Sequence, residues 1–186
     1  MAPEISLTAV QVSQSLSKLA EPLKQYLWLQ KRFGEERSID ADIEFQTKFN
    51  GYYRVRRSAK WRDAFYTLMK EARESRPEFM SVLKDLHRLT GRVEPSFASK
   101  LVATVDPKFP VIDSVVLSNL NLKLPYRDIP DRIEKIGGFY IGLCDLFDRY
   151  LDSEPGRLVI SEFRSKFPLA DISKTKMLDL VLWQAR

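Results

Sequence analysis

An aspartate that follows a proline-bracketed turn is the strongest sign of chemistry in this sequence. An apolar helical run over residues 97–105 is interrupted by Pro107 and Pro110, and Asp113 then opens the next apolar run, residues 115–120. Neither proline fits inside a regular helix, so the chain must turn before Asp113. A carboxylate at the start of a helix accepts hydrogen bonds from free backbone amides and is favoured by the helix dipole. Asp113 is therefore predicted to cap a helix, and this capping role alone explains it.

Two short stretches around this turn resemble a known family. Pro95-Ser-Phe-Ala-Ser99 and, after one gap in the loop, Lys108-Phe-Pro-Val-Ile-Asp113 are similar to the hairpin exit and the proline-aspartate turn of the helix-hairpin-helix DNA glycosylases. The adenine DNA glycosylase branch is the most similar by eye. The resemblance covers roughly residues 86–120. It implies an all-helical protein of two lobes, with Asp113 at the floor of the groove between them.

The same resemblance implies roles for three side chains. In glycosylase chemistry a base is rotated out of the duplex, and the aspartate stabilises positive charge on the sugar or activates water, so Asp113 would be catalytic. Ser96 occupies the position where bifunctional members carry a nucleophilic lysine, which is consistent with a monofunctional mechanism. Lys100 lies one helical turn further along and is the candidate substitute for that lysine.

The hairpin itself departs from the family pattern. The resemblance places Gly91 and Arg92 at the hairpin that contacts DNA phosphate, but the family motif has two glycines and residues 89–95 have one. Glycines let the backbone approach a phosphate closely, and Glu94 adds a repelling negative charge. We therefore expect any phosphate contact by this hairpin to be weakened.

A basic segment lies upstream of the hairpin. Five of the nine residues from 54 to 62 are basic, and the aromatic residues Tyr52, Tyr53 and Trp61 lie beside or among them. Arginine pairs bidentately with phosphate, and aromatic rings stack on unpaired bases or on guanidinium groups. The sequence predicts a nucleic-acid-binding surface here, while the alternative is a solvated helix start whose aromatic residues face the core. The predicted contacts are Arg54, Arg56, Arg57, Lys60 and Arg62.

Composition narrows the class of protein. The chain has 186 residues, 44% of them hydrophobic, and a formal net charge of +5, which suits one compact domain with a basic surface. No apolar run reaches membrane-spanning length and the N-terminus does not resemble a signal peptide, so we expect a cytoplasmic protein without a membrane partner. Cys144 is the one cysteine, which excludes an iron-sulfur cluster, and we expect no metal and no cofactor.

Helical periodicity runs through nearly the whole chain, and no sheet is expected. Residues 5–33 read as an amphipathic helix or helix pair, with Pro22 kinking or splitting the run, and we expect this part to pack with the C-terminal helices. Ser58 and Ser173 are predicted helix caps. Residues 158–163 are short and β-branched, but the surrounding charges favour a helix. The predicted fold is all-α, in a single domain spanning residues 1–186.

Three function classes remain open at this point. The first is a DNA-binding protein, with base excision at Asp113 as its possible activity, and the second is a helical module that keeps only the fold and binds nucleic acid, or a protein through its N-terminal helix. The third is carboxylate-metal chemistry. The acidic clusters of residues 40–44 and 145–152 are read as solvated helix surface, because neither has the lysine or histidine that metal-dependent nucleases usually add.

Overall fold

Helices form all the regular secondary structure that the structure describes. It is a computed structural model that describes residues 4–185 and contains no strand within that range. The all-α prediction is confirmed. The ten helices of the described range are α1 Ala9–Ser17, α2 Ala20–Phe33, α3 Ile43–Tyr52, α4 Ala59–Ser75, α5 Phe79–Thr90, α6 Pro95–Val105, α7 Ser114–Asn119, α8 Arg132–Asp152, α9 Glu154–Lys166 and α10 Lys174–Gln184.

The N-terminal region predicted as one helix or a pair consists of two helices. Helix α1 starts at a capping box in which the Thr8 hydroxyl accepts from the Gln11 amide and the Gln11 side chain accepts from the Thr8 amide. The chain then breaks at Lys18 and Leu19, and α2 begins. Pro22 lies in the first turn of α2, where a backbone amide has no partner within the helix and its absence costs nothing. The proline thus marks where the second helix starts.

The helices group into two compact units. Residues up to Ala20 together with those from Pro107 onward form unit 1, and Glu21–Asp106 form unit 2. Helix α1 packs against α9 and α10, so the first helix joins C-terminal helices within unit 1. The predicted single domain 1–186 is therefore made of two units, and the predicted N-terminal helix region 5–33 is shared between them.

Unit 2 has a core of aromatic side chains. Helices α4, α5 and α6 pack against one another. The rings of Phe45 and Phe49 on α3 lie within 6.4 Å of Tyr66 on α4, centroid to centroid. The Tyr66 hydroxyl donates to the Asn50 side chain at 2.7 Å, so this buried polar group has a partner. Arg32 on α2 pairs with Asp42, the cap of α3, at 2.7 Å, which ties α2 to α3 and lowers the pKa of Asp42.

Unit 1 is built around α10. This helix contacts α1, α7, α8 and α9, and its residues 175–182 are all buried. The burial includes an ion pair, since Lys176 Nζ lies 2.7 Å from Asp179 Oδ2 and both side chains are less than a tenth exposed. At the end of α10, the Asn119 side-chain amide donates to the carbonyls of Leu182 and Ala185, which would otherwise lack intrahelical partners.

The predicted helix caps at Ser58 and Ser173 are confirmed. The Ser58 hydroxyl accepts from the Trp61 amide at the start of α4, and the Ser173 hydroxyl accepts from the Lys176 amide at the start of α10. The ambiguous residues 158–163 lie inside helix α9, as their charged neighbours indicated. Within residues 4–185, no helix combines the length and the apolar character needed to cross a membrane.

The connection between α8 and α9 leaves no room for a side chain at Gly156. A Cβ atom there would lie 1.8 Å from the Tyr150 carbonyl oxygen, whereas one at Gly142, exposed within α8, would meet nothing within 4 Å. We expect Gly156→Ala to lower the free energy of unfolding by about 1 to 3 kcal/mol, because the backbone must shift. Gly142→Ala should raise it by up to about 1 kcal/mol through helix propensity. Urea denaturation measures both, and equal stability of the two variants would contradict the packing at this corner.

Candidate nucleic-acid interface

The predicted basic residues of unit 2 converge on one concave surface, which we call the basic groove. It has a volume of about 600 Å³. Two segments line it, one at the start of α4 and one at the end of α5. The lining residues are Arg56, Arg57, Ser58, Lys60, Trp61, Leu89, Thr90 and Arg92. Four of them are basic and none is acidic, so the groove presents positive charge to a ligand.

The first wall follows from how α3 ends and α4 begins. Val55 is buried, and its amide donates to the Asn50 carbonyl at 2.9 Å, which fixes the connecting loop. Arg56, Ser58 and Lys60 then project from an anchored backbone and are exposed to solvent. Because exposed long side chains keep their mobility, the cationic groups of Arg56 and Lys60 can adjust to a ligand.

The second wall is the hairpin between α5 and α6. Gly91 ends α5 with a positive φ of 68°, a conformation that glycine adopts without strain, and its amide donates to the His87 carbonyl at 2.8 Å. The Thr90 hydroxyl accepts from the Arg92 amide. The Arg92 side chain is 65% exposed. Gly91 thus shapes the turn, and Arg92 supplies the positive charge.

A bidentate ion pair joins the two walls. Arg57 Nε and Nη2 donate to the two carboxylate oxygens of Glu94 at 2.9 and 3.0 Å. The Glu94 side chain is 11% exposed and that of Arg57 29%, so both charges are largely removed from water. The guanidinium also lies 5.0 Å from the centre of the Phe97 ring. From the sequence, Arg57 is a predicted phosphate ligand and Glu94 a predicted repelling charge. In the folded protein these two groups pair with each other, and Arg92 Nε lies 3.8 Å from the same carboxylate.

The floor of the groove rests on stacked aromatic rings. Trp61 is only 6% exposed and stacks on Phe65 with centroids 5.1 Å apart and an interplanar angle of 15°. Its ring also lies 4.8 Å from that of Phe97. By contrast, Leu89 at the end of α5 is 46% exposed. Trp61 is therefore a rigid support, and Leu89 is the apolar side chain that a ligand can reach.

The other predicted nucleic-acid contacts lie outside the lining. Arg54 is exposed, with a positive φ of 53° at the end of α3, and Arg62 is partly buried on α4. Gly91 acts through the backbone turn. Of the basic residues predicted between positions 54 and 62, the groove therefore brings together Arg56, Arg57 and Lys60.

Asp113 lies in unit 1 and is a helix cap. Its side chain accepts from the Val115 amide at 2.9 Å, which confirms the predicted capping role, and it is partly buried. The preceding turn is held at two carbonyls, since Tyr140 donates to Pro110 at 3.0 Å and Ser173 donates to Pro107. The carboxylate therefore sits on a fixed backbone.

Ser96 and Lys100, the other catalytic candidates, lie on α6 in unit 2. Ser96 is partly exposed in the first turn, and its carbonyl accepts from the Ser99 hydroxyl at 3.0 Å. Lys100 is only 6% exposed. Its Nζ lies 3.4 Å from the Tyr53 carbonyl oxygen and 5.1 Å from the centre of the Phe97 ring. These contacts give the Lys100 ammonium a structural role within the unit.

The acidic clusters do not assemble into a metal site in the described part of the chain. No group of three or more histidine, cysteine, aspartate or glutamate side chains is placed to hold a metal ion among residues 4–185. Asp42 is engaged by Arg32, and Asp40 by Lys70 at 3.0 Å. Burial raises the pKa of the Cys144 thiol to about 12, so at neutral pH this side chain is a protonated, unreactive group.

Comparisons with protein-family models, with curated proteins and with solved structures give no match to this chain.

Two features of the groove were not predicted from the sequence: the exposure of Leu89 and the pairing of Glu94 with Arg57. Leu89 has the spacing of the apolar stripe of α5, but the helix ends one residue later and leaves it on the surface. Glu94 and Arg57 are 37 residues apart, so no local spacing connects them. The end of α5 at Gly91 was the available signal for Leu89, because a stripe residue in the last turn has fewer neighbours to cover it.

The ion pair predicts a difference between adjacent arginines. Arg57→Ala removes the bidentate partner of the largely buried Glu94 carboxylate, which then keeps only Arg92, whose Nε lies 3.8 Å from Glu94 Oε1, and it should lower the free energy of unfolding by about 1 to 3 kcal/mol. Arg56→Ala, the matched control at an exposed position, should change it by no more than about 0.5 kcal/mol. Urea denaturation of both variants provides the measurement. If Arg57→Ala is as stable as the control, the ion pair does not hold the two walls together.

Proposed function

We propose that this protein binds DNA through the basic groove of unit 2. The observation that carries the proposal is the convergence of four basic side chains, from two separate segments, on one concave surface without an acidic lining residue. The formal net charge of +5 also favours binding to a polyanion such as DNA. The resemblance of residues 86–120 to helix-hairpin-helix DNA glycosylases supports DNA as the nucleic acid.

The contribution of each cation follows from its surroundings. Arg56 and Lys60 are exposed, and Arg92 is mostly exposed, so their charges can neutralise phosphates. Arg57 donates two of its hydrogen bonds to Glu94 and holds the groove in shape. We therefore assign phosphate contact to Arg56, Lys60 and Arg92, and a positioning role to Arg57.

Salt dependence tests this assignment. Each phosphate that the protein neutralises adds about 0.9 to the slope of log affinity against log salt. Arg56→Ala and Lys60→Ala should each weaken binding to DNA and flatten the slope by about one unit. Fluorescence anisotropy titrations at several salt concentrations measure the slope.

The matched control is Arg149→Ala, which removes the same charge from an exposed position of α8 outside the groove. Its slope should equal that of the unaltered protein. Slopes of Arg56→Ala and Lys60→Ala that are as steep as that of the unaltered protein would place the DNA surface elsewhere. Absence of binding at low salt would overturn DNA binding altogether and favour a module that binds protein, with α1 as the surface to examine next.

Base excision at Asp113 is the second candidate function. The observation in its favour is that the carboxylate is partly exposed on a turn fixed at Pro107 and Pro110, since a catalytic acid or base needs a held position with access to its substrate. Ser96 in place of a nucleophilic lysine is consistent with a monofunctional reaction. The carboxylate would stabilise the positive charge that develops on the sugar, or activate water.

Paired substitutions at Asp113 separate capping from catalysis. Asparagine caps a helix almost as well as aspartate, so Asp113→Asn should leave stability nearly unchanged, whereas Asp113→Ala should cost about 0.5 to 2 kcal/mol. If Asp113 is catalytic, both variants should lose base release from damaged or mismatched duplexes. Base release that survives in Asp113→Asn would assign this residue to capping alone.

A further inference from the structure

The groove contains an apolar surface that phosphate binding does not use. Leu89 continues the stripe of α5 that includes the fully buried Leu86, yet it is 46% exposed and lines the groove between basic residues. Thr90 and the aromatic support of Trp61 adjoin it in the lining. A single exposed leucine is ordinary at a protein surface, but one that lines a cationic groove offers an apolar contact to a ligand bound there.

The groove is large enough to hold a nucleotide. Its volume of about 600 Å³ is in the range of pockets that enclose a small molecule. In a duplex the bases are stacked on one another, so their flat faces are not free to pack on a side chain such as Leu89. An unpaired base exposes both of its flat faces, which pack on apolar and aromatic surfaces without regard to sequence.

The cations of the groove come from both of its lining segments. Arg56 and Lys60 belong to the segment at the start of α4, and Arg92 belongs to the segment after α5. Leu89 lies on the second segment, three residues before Arg92. A strand that crosses the groove therefore meets cations of both segments for its phosphates, and Leu89 as an apolar contact for an adjacent base.

We propose that the basic groove binds an unpaired segment of a DNA strand, with a base packed on Leu89 and the flanking phosphates at Arg56, Lys60 and Arg92. This inference rests on the proposed function and goes further by naming the form of DNA that the site selects. Single-strand binders combine a cationic path for the backbone with apolar platforms for the bases, and the groove has both parts.

Three DNA probes test the inference at one fixed low salt concentration. They are a short oligothymidylate, an abasic oligonucleotide with the same number of phosphates, and a duplex of the same length. The unaltered protein should bind the oligothymidylate more tightly than the other two. Because the abasic strand carries the same charge, a difference between it and the oligothymidylate measures the contribution of the bases, and this comparison needs no variant.

Leu89→Ala identifies the side chain responsible. It should weaken binding of the oligothymidylate about fivefold and leave binding of the abasic strand and of the duplex unchanged, because only the base loses its apolar contact. Leu158→Ala, which truncates another exposed leucine on α9, is the matched control and should change none of the three affinities. Circular dichroism verifies that both variants keep their helical content.

The outcomes separate this inference from the proposed function. Equal affinity of the unaltered protein for the oligothymidylate and the abasic strand would overturn the inference and leave phosphate binding standing. A loss in Leu89→Ala that is equal for all three probes would also overturn it, because Leu89 would then act through the shape of the hairpin. Failure of every probe to bind would overturn DNA binding itself.

Discussion

The bidentate pairing of Arg57 with Glu94 is the interaction on which the groove depends. It connects the loop before α4 to the residue that precedes α6, and both groups are largely shielded from water. In such surroundings an unpaired carboxylate is costly, so the two segments are held together for as long as the protein is folded. The pair also neutralises the charge of Glu94 at short range, so this carboxylate does not repel an anionic ligand in the groove.

The aromatic core of unit 2 gives this ion pair a rigid base. Arg57 lies over the ring of Phe97, which packs against Trp61, and Trp61 stacks on Phe65. Packed rings in a dense core have few alternative arrangements, so the walls of the groove keep their separation. The cations that remain exposed, Arg56 among them, retain the side-chain freedom that phosphate binding needs. A rigid floor with mobile charges at the rim suits a ligand with a regular backbone and variable bases.

In unit 1, tertiary contacts likewise hold the turn before Asp113 in place. The carbonyls of Pro107 and Pro110 cannot be satisfied within a helix there, and Ser173 and Tyr140 donate to them. Ser173 also caps α10, the most buried helix of the unit, so one hydroxyl links the turn to the core. The position of Asp113 is thus fixed by tertiary contacts, and the same geometry serves a structural cap or a reactive carboxylate.

The helical fold and the helix starts at Ser58, Ser173 and Asp113 could be predicted from the sequence, because they depend on periodicity and on contacts between residues two to four apart. The basic segment could also be read from the sequence. Three features required the folded structure: which basic residues line a common groove, the binding of Arg57 to Glu94, and the exposure of Leu89. The ion pair joins residues that are 37 positions apart in the chain. The exposure of each side chain is set by how the helices pack around it. Charge pairing and burial are properties of neighbours in space, which no local spacing in the chain specifies.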